Sequence, residues 1–324
     1  MKIAVTGASG HIGNNLCRML IDRGHQVKAM VHRVTQGLTG LPLESIKGDV
    51  TSESDLEELC YGCEVVFHLA AHISIRKTDP LCRSMNVDPC INLIKAAKST
   101  GVKKIIHFSS IHAFRALPLT GELNETRELT LNSPFSYDQS KALSQKIMME
   151  SSSRQLEIVV LNPTAVIGPN DFKPSLLGNA LIRFYRGQNP VLVPGGYNWV
   201  DVRDVCTAAV NTIEKGIAGE CYLLGGSWQS LGTLALEIEK HGGHKAPWLE
   251  IPVWMAQIGA PVINLQSLLT KHAPLYTFAS LLTLSNSHRN ISSAKAESIL
   301  RFRPRPFTET ISDTMAWFRE HNYL

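Results

Sequence analysis

The first predicted strand of the chain runs directly into a glycine-rich turn, and this pairing limits the folds that the chain can adopt. The strand is Ile3-Ala4-Val5, and the turn is Thr6-Gly7-Ala8-Ser9-Gly10-His11-Ile12-Gly13. Apolar residues at helical spacing predict a helix from Asn14, and Gly24 separates it from a second strand at 26–31. Glycines let the backbone approach a ligand closely, and a helix N-terminus offers unpaired N–H groups with partial positive charge. The strand–turn–helix–strand order therefore predicts a site for a dinucleotide pyrophosphate.

The alternation of strand and helix patterns continues through the first half of the chain. Further apolar strands are predicted at 45–50, 64–69, 103–110 and 157–161, and helices at 55–60, 88–100 and 136–152. Apolar strands separated by helices are typical of a parallel sheet that is covered on both faces. We therefore predict an α/β fold with a doubly wound parallel sheet.

The pattern changes after Asn162-Pro163, where prolines and glycines separate short segments. A helix at 201–214 and a strand at 220–224 follow, and the rest of the chain is predicted to be helical. We predict a dinucleotide-binding domain at 1–162, to which 197–226 returns. Residues 163–196 and 227–324 would form a smaller, mainly helical substrate-binding lobe, with the cleft at the carboxyl edge of the strands.

Composition argues against several classes of function. The formal net charge of +4 is spread over 324 residues, so we predict no nucleic-acid partner. The chain starts in a strand, and no uninterrupted apolar run reaches the length of a membrane span, so we expect a cytoplasmic protein. Among seven cysteines, Cys60 and Cys63 have metal-ligand spacing but no second such pair, and we predict no metal site.

A tyrosine and a lysine four residues apart are the first catalytic candidates. Tyr137 and Lys141 lie on one face of a predicted helix, so a phenol and an ammonium would point into the same space. The cation is expected to lower the pKa of Tyr137, which would then exchange a proton with an alcohol or a carbonyl. Ser110 follows a predicted strand and would donate a hydrogen bond to the substrate oxygen as charge develops on it.

These motifs resemble the extended short-chain dehydrogenase/reductase family over nearly the whole chain. The resemblance is carried by the glycine turn and by Gly48-Asp49-Val50, His68-Leu69-Ala70-Ala71, Asn86-Val87, Phe108-Ser109-Ser110, Tyr137-x-x-x-Lys141 and Asn162-Pro163-Thr164. Residues 161–169 are most similar to the dihydroflavonol-reductase-like and 3β-hydroxysteroid-dehydrogenase-like branch. The resemblance implies a Rossmann fold, an oxidoreductase that interconverts a ketone or aldehyde and an alcohol, and a homodimer formed through the Tyr137 helix.

The resemblance also implies roles for individual residues. Tyr137 would protonate the carbonyl oxygen as hydride arrives, Lys141 would hold the nicotinamide ribose, and Ser110 would orient the substrate. Asp49 would bind the adenine, and Ala70-Ala71 would let the backbone lie against the adenosine ribose. The predicted cofactor site comprises Gly7, Ser9, Gly10, His11, Ile12, Gly13, His32, Arg33, Asp49, Val50, Leu69, Ala70, Ala71, Ser109, Tyr137, Lys141, Asn162, Pro163, Thr164 and Val166.

The end of the second strand bears on the choice of nicotinamide cofactor. It reads Met30-Val31-His32-Arg33, without the carboxylate that binds the ribose 2′-hydroxyl in NAD-binding proteins. His32 and Arg33 would instead suit a 2′-phosphate, because a guanidinium can hold phosphate with two hydrogen bonds. We therefore expect NADP in preference to NAD.

Aromatic residues in the lobe would either line a cleft for an apolar carbonyl substrate or simply form the core of the lobe. Segments 169–177 and 265–284 are candidates to cover that cleft. The aromatic residues are Phe172, Phe184, Tyr185, Tyr197, Trp199, Trp228, Trp254, Tyr276 and Phe278.

Two other functions stay open at the level of sequence. A nucleotide-sugar epimerase or dehydratase on the same scaffold would hold a substrate diphosphate with basic residues of the lobe, for which the candidates are Arg183, Arg186, Arg203 and Arg289. A non-catalytic dinucleotide-sensing protein would typically have lost the Tyr/Lys pair, whereas Tyr137 and Lys141 are both present here.

Overall fold

The computed structural model describes residues 1–32, 36–189, 191–256, 284 and 286–324, and their strands form two sheets. The main sheet has seven parallel strands in the order β3-β2-β1-β4-β5-β6-β9. A smaller sheet has the order β10-β8-β7. The strands are β1 (Lys2–Thr6), β2 (Gln26–Val31), β3 (Glu44–Lys47), β4 (Val65–His68), β5 (Lys104–Phe108), β6 (Glu157–Pro163), β7 (Ala165–Ile167), β8 (Gly196–Asp201), β9 (Cys221–Leu224) and β10 (Ser227–Ser230).

Helices cover both faces of the main sheet, as a parallel sheet requires. Their ends follow local rules. For example, Asp88 and Pro89 lie in the first turn of α4, and Gly101, with φ of 79°, ends that helix in the left-handed conformation. The helices of the described residues are α1 (His11–Asp22), α2 (Glu53–Cys60), α3 (Leu81–Asn86), α4 (Asp88–Thr100), α5 (Ser136–Glu150), α6 (Leu176–Tyr185), α7 (Val202–Lys215), α8 (Leu231–Lys240), α9 (Ala294–Leu300) and α10 (Phe307–Glu320).

Each face of the main sheet has its own apolar core, because side chains alternate along the strands. On β4, Val65 and Phe67 join a core with α1 and α7, whereas Val66 joins a core with α2, α4 and α5. On β5, Ile106 belongs to the core with α1 and α7, and Ile105 belongs to the core with α2, α4 and α5. The carboxyl ends of these strands therefore emerge between two packed helical layers.

The small sheet belongs to a third core. β8 pairs antiparallel with β10 and parallel with β7, and α6, α8 and α10 pack beside these strands. Trp199 of β8 and Phe318 of α10 are buried in this core. The chain rejoins the main sheet through α7 and β9, whereas β8, which was predicted to return to the first domain, lies in the small sheet.

The doubly wound parallel sheet is confirmed, and most predicted elements of the first half lie where the sequence put them. β3 is shorter than the predicted strand at 45–50, because Asp49 binds Thr51 in a turn and Ser52 caps α2. The sequence patterns missed α3 and α6 and all three strands of the small sheet, whereas α8 and α9 fall in the C-terminal part that was predicted to be helical.

Within the described ranges, no helix is both long enough and apolar enough to cross a membrane.

Candidate active site

The glycine turn brings three backbone segments into close contact. Gly7 has φ of 67°, and a Cβ added there would lie 2.7 Å from the backbone nitrogen of Ala70. A Cβ on Gly13 would overlap the carbonyl oxygen of Gly7. Both glycines are therefore required by the geometry, which packs the start of α1 and the end of β4 against the turn.

The N-terminus of α1 has the features of an anion site. Gly10 is the N-cap, no side chain caps the helix, and the first turn contains no acidic residue. The first N–H groups of α1 are therefore not satisfied by a protein side chain and can face a ligand phosphate. The residues present fit a dinucleotide pyrophosphate at this position.

A loop from the second half of the chain is bound beside the turn. The Nε2 atom of His11 lies 3.1 Å from the carbonyl oxygen of Pro169. The side-chain amides of Asn14 and Asn15 donate to the carbonyls of Asn170 and Pro169, respectively. These contacts place the start of segment 169–177, a predicted cleft cover, against the predicted cofactor site.

Thr6 fixes the segment that follows β4. Its hydroxyl oxygen accepts from the backbone N–H groups of Leu69 and Ala70 at 3.2 and 3.3 Å. It also lies 2.8 Å from Nδ1 of His68. These hydrogen bonds hold the segment 69–71 next to Gly7. This is the segment whose backbone is predicted to lie against the adenosine ribose.

The three predicted catalytic side chains come together at the carboxyl end of β5. The Ser110 hydroxyl forms a hydrogen bond with the phenol of Tyr137, which lies in the first turn of α5. Lys141, one turn further along α5, donates from Nζ to the carbonyl oxygen of Phe108 at 2.8 Å. Ser109 is buried between them and the strand, with its Oγ 3.5 Å from the Lys141 carbonyl.

The expectation that Lys141 lowers the pKa of Tyr137 is wrong for this structure. Burial raises the pKa of Tyr137 well above 10, and the hydrogen bond from Ser110 opposes that rise only in part. Lys141 is itself buried, and desolvation lowers its pKa to about 8. Burial in this dry site therefore shifts both groups towards their uncharged forms, but Lys141, with a pKa of about 8, is still mainly an ammonium at neutral pH. Tyr137 is a phenol at neutral pH, a state that donates a proton.

The polar side chains of segment 162–166 form hydrogen bonds with neighbouring protein groups at the strand ends. The Asn162 amide donates to the Ser110 carbonyl at 2.9 Å and to the Gln145 side chain at 2.6 Å. Thr164 donates to Asn198 at 3.0 Å. Pro163 lies in β6 and Val166 in β7, so the predicted cofactor contacts of this segment would come chiefly from its backbone.

The predicted adenine end of the site lies beyond β2 and β3. Asp49 accepts from the backbone and hydroxyl of Thr51, and its other oxygen lies 3.8 Å from Nε2 of the exposed His32. Val50 is buried in the core beside them. Arg33, the other predicted 2′-phosphate ligand, lies outside the described residues.

Sequence reasoning missed a histidine–carboxylate pair next to Tyr137. Nδ1 of His112 lies 3.0 Å from Oδ1 of Asp138, and the His112 ring meets the Tyr137 ring edge-on at 5.5 Å. The His112 backbone also donates to the Ser110 hydroxyl at 3.2 Å. The signal was available in part, because Asp138 adjoins Tyr137 and His112 lies two residues after Ser110.

A small cavity of about 200 Å³ is lined by residues from both predicted parts of the chain. Its walls include Leu119 and Trp228, and the Arg289 guanidinium lies 4.6 Å from the centre of the Trp228 ring. A larger cavity of about 380 Å³, lined by Glu125 and Lys295 among others, lies by β9 and contains none of the predicted site residues.

The aromatic residues of the lobe have different environments. Phe184 and Trp199 are core residues, Phe172 packs on Trp317 and His321, and Trp254 is 61% exposed. Of the set, Trp228 lines the small cavity. Tyr276, Phe278 and nearly all of segment 265–284 lie outside the described residues.

Known proteins are similar to this chain over its whole length. The matching family is the NAD dependent epimerase/dehydratase family, over residues 3–225. The chain is 32% identical to sterol demethylase protein B of Methylococcus capsulatus, with 100% of both proteins covered. It is 27% identical to dihydroflavonol 4-reductase of Callistephus chinensis, over 79% of this chain and 76% of that protein. The crystal structure of gox2253 matches with a TM-score of 0.85 and 29% identity, covering 100% of this chain and 99% of that one.

Proposed function

The chain belongs to the NAD-dependent epimerase/dehydratase family of extended short-chain dehydrogenase/reductases, and from that premise we propose that it is an NADP-dependent carbonyl reductase. It would reduce a ketone or an aldehyde to the alcohol, or catalyse the reverse oxidation. The observation that carries the proposal is the hydrogen bond between Ser110 and the phenol of Tyr137, one helical turn from Lys141.

Each of the three side chains has a defined task in this reaction. When bound, the nicotinamide supplies the hydride. Tyr137 donates its phenolic proton to the carbonyl oxygen as negative charge develops there, and Ser110 donates a hydrogen bond to the same oxygen. Lys141 has three N–H donors, and the Phe108 carbonyl takes one of them, so others can bind the hydroxyls of the nicotinamide ribose.

The raised pKa of Tyr137 keeps the phenol in the protonated form that the reduction requires. A phenol that stays protonated at neutral pH is a proton donor to an alkoxide, whereas the reverse oxidation needs a phenolate to remove the alcohol proton. In the protein without its cofactor, burial therefore keeps Tyr137 in the form that can act as a proton donor.

An apolar carbonyl compound is the proposed substrate. The small cavity combines the apolar walls of Leu119 and Trp228 with one cation, Arg289. Two of the relatives are named for apolar or aromatic compounds, a sterol and a dihydroflavonol, which supports a substrate of this kind. The substrate would enter between the small sheet and the carboxyl ends of β5 and β6, as in other open α/β sheets.

Ion pairing in the lobe disfavours the nucleotide-sugar alternative. Arg203 is held by Asp201 and Asp313, each at 2.7 Å, and Arg186 donates to the carbonyl of Tyr323. These arginines would have to leave their partners to bind a substrate diphosphate. A further test separates the two functions, because an epimerase would return its cofactor unchanged whereas a reductase consumes NADPH stoichiometrically.

The absence of a carboxylate after β2 supports NADP over NAD. A change of Arg33→Glu is expected to weaken NADPH binding by at least about tenfold, or 1.4 kcal/mol, and to leave NADH binding nearly unchanged. Fluorescence titration of both cofactors at one salt concentration measures this. Arg23→Glu, an equal change of charge at the exposed end of α1, is the control. Equal losses for the two cofactors would remove the 2′-phosphate role.

The reaction itself is tested with a panel of aldehydes and ketones of increasing apolar size. We expect loss of NADPH absorbance with one alcohol formed for each NADPH consumed. Turnover of a nucleotide sugar without net consumption of cofactor would contradict the proposal. We also propose that the protein is cytoplasmic and that it forms a homodimer through α5. Analytical ultracentrifugation measures whether the protein is a monomer or a dimer in solution.

A further inference from the structure

A cluster of two histidines and a cysteine is enclosed in the core between the main sheet and its helices. His68, Cys90 and His107 are 1%, 0% and 2% exposed. One ligand atom from each residue lies within 4.8 Å of the other two. The three residues come from β4, α4 and β5, so no sequence spacing connects them.

The sheet register explains why the cluster forms. His68 and His107 are paired neighbours on adjacent parallel strands, and their rings stack with centres 5.4 Å apart. They follow Val66 and Ile105 on the face that packs against α4 and α5. Cys90 reaches the same point from the first half of α4. The two rings and the thiol therefore meet where apolar residues would otherwise continue the core.

Three of the four histidine ring nitrogens at this point have no protein partner in the described part of the chain. Nε2 of His68 and both ring nitrogens of His107 are buried and make no hydrogen bond. Nδ1 of His68 lies 2.8 Å from the Thr6 hydroxyl, so Nε2 is the unpaired nitrogen of this ring. Buried polar atoms are almost always satisfied, so unpaired nitrogens this close to the Cys90 thiol, which itself donates to the Asn86 carbonyl at 3.2 Å, indicate a missing partner.

We propose that His68, Cys90 and His107 bind a monovalent soft metal ion of the Cu(I) type. Thiolate and imidazole are its preferred ligands. The described residues offer this cluster no fourth His, Cys, Asp or Glu, whereas structural zinc requires four ligands. The sequence predicted no metal site, because it could examine only ligands spaced along the chain.

Charge balance also favours a monovalent ion. The charged groups that act on the cluster are Lys141, which influences all three ligands, and Asp88, which influences Cys90. On binding, the Cys90 thiol releases its proton to solvent, and one thiolate neutralises one Cu⁺. A divalent ion would leave an excess positive charge in a dry core that also contains Lys141. Binding of the ion at Nε2 would place the remaining ring proton of His68 on Nδ1, the nitrogen that faces the Thr6 hydroxyl.

Cu⁺ binding is measured anaerobically by competition with a chromophoric bathocuproine chelator, with full-length protein. The wild type is expected to retain one equivalent of Cu⁺ with its secondary structure unchanged. Cys90→Ser and His107→Phe should each lower the affinity for Cu⁺ by more than about 100-fold. Removal of a metal ligand weakens binding more than removal of a residue that only orients a ligand, which typically costs about 10- to 100-fold. The control is the double variant Cys60→Ser/Cys63→Ser, which removes two buried cysteines outside the cluster and should retain the ion.

A further variant tests the site without replacing any of its three ligands, in case those replacements disturb folding of the core. Thr6→Val keeps all three ligands and should weaken Cu⁺ binding by roughly 10- to 100-fold through the orientation of His68. X-ray absorption of the loaded wild type should show one sulfur and two nitrogen ligands. A sulfur-only shell, retention of Cu⁺ by Cys90→Ser, or tighter binding of Zn²⁺ than of Cu⁺ would overturn the assignment. So would a wild type that binds no Cu⁺, which would leave a buried water as the partner of the histidines.

Discussion

At the scale of single residues, burial sets the protonation of Tyr137 and Lys141 more than their mutual attraction does. The sequence correctly places both side chains on one helical face beside Ser110. It predicts the pKa shift of Tyr137 in the wrong direction, because the Coulomb effect of a neighbouring cation can be read from spacing but desolvation depends on the assembled tertiary structure. In the folded protein, Phe108 takes a hydrogen bond from Lys141 and Ser110 bonds Tyr137.

Cofactor binding is expected to depend on pH through Lys141. Its pKa of about 8 means that the ammonium is present below pH 8 and is lost as the pH rises through 8. If Lys141 holds the ribose as an ammonium, the affinity for NADPH falls above pH 8 while Tyr137 stays protonated. Fluorescence titration from pH 6 to 10 measures this. Lys141→Met should bind weakly with no such dependence, and an unchanged wild-type affinity at pH 10 would contradict the role.

At the scale of elements, the glycine turn was predictable because strand, turn and helix are contiguous in sequence. The same holds for α4, whose aspartate, proline and glycine mark both ends. The small sheet was not predictable in this way. β7 has only three residues, and β8 finds its partners in two distant segments, so no local period identifies these strands.

Gly13→Ala is predicted to damage the cofactor site at this scale. The added Cβ meets the Gly7 carbonyl, so the start of α1 has to move away from the turn that is proposed to bind pyrophosphate. We expect NADPH affinity to fall by at least about tenfold, or 1.4 kcal/mol. Gly24→Ala is the control, because it adds a Cβ at positive φ where no atom lies within 4 Å. It should cost stability but leave NADPH affinity intact, and equal losses of affinity in both variants would reject a specific role.

At the scale of the whole molecule, an ion-pair network joins α7, which covers the main sheet, to the small sheet and α10. Arg203 at the start of α7 contacts Asp201, whose side chain is fully buried, and Asp313 on α10. Arg305 lies 3.6 Å from the same Asp201 and binds Asp204. The network therefore ties α7 to the end of β8 and to α10.

Removal of Arg203 should therefore destabilise the protein. Arg203→Met leaves the buried Asp201 with Arg305, 3.6 Å away, as its cation among the described residues, and we expect the free energy of unfolding to fall by about 1–3 kcal/mol. Asp313→Asn removes the exposed partner instead and should cost less than about 1 kcal/mol. Urea unfolding of both variants measures the difference. Equal effects would show that the buried carboxylate does not depend on Arg203.

The chemistry assigned to the molecule depends on one proton donor, and Tyr137→Phe tests it most directly. Removal of the phenolic oxygen takes away the acid but no part of the glycine turn. With a carbonyl substrate found in the panel, the rate of NADPH oxidation should fall by roughly 10²- to 10⁴-fold, and the affinity for NADPH should stay within about twofold of the wild type. A Tyr137→Phe variant that oxidises NADPH at the wild-type rate would contradict the assignment.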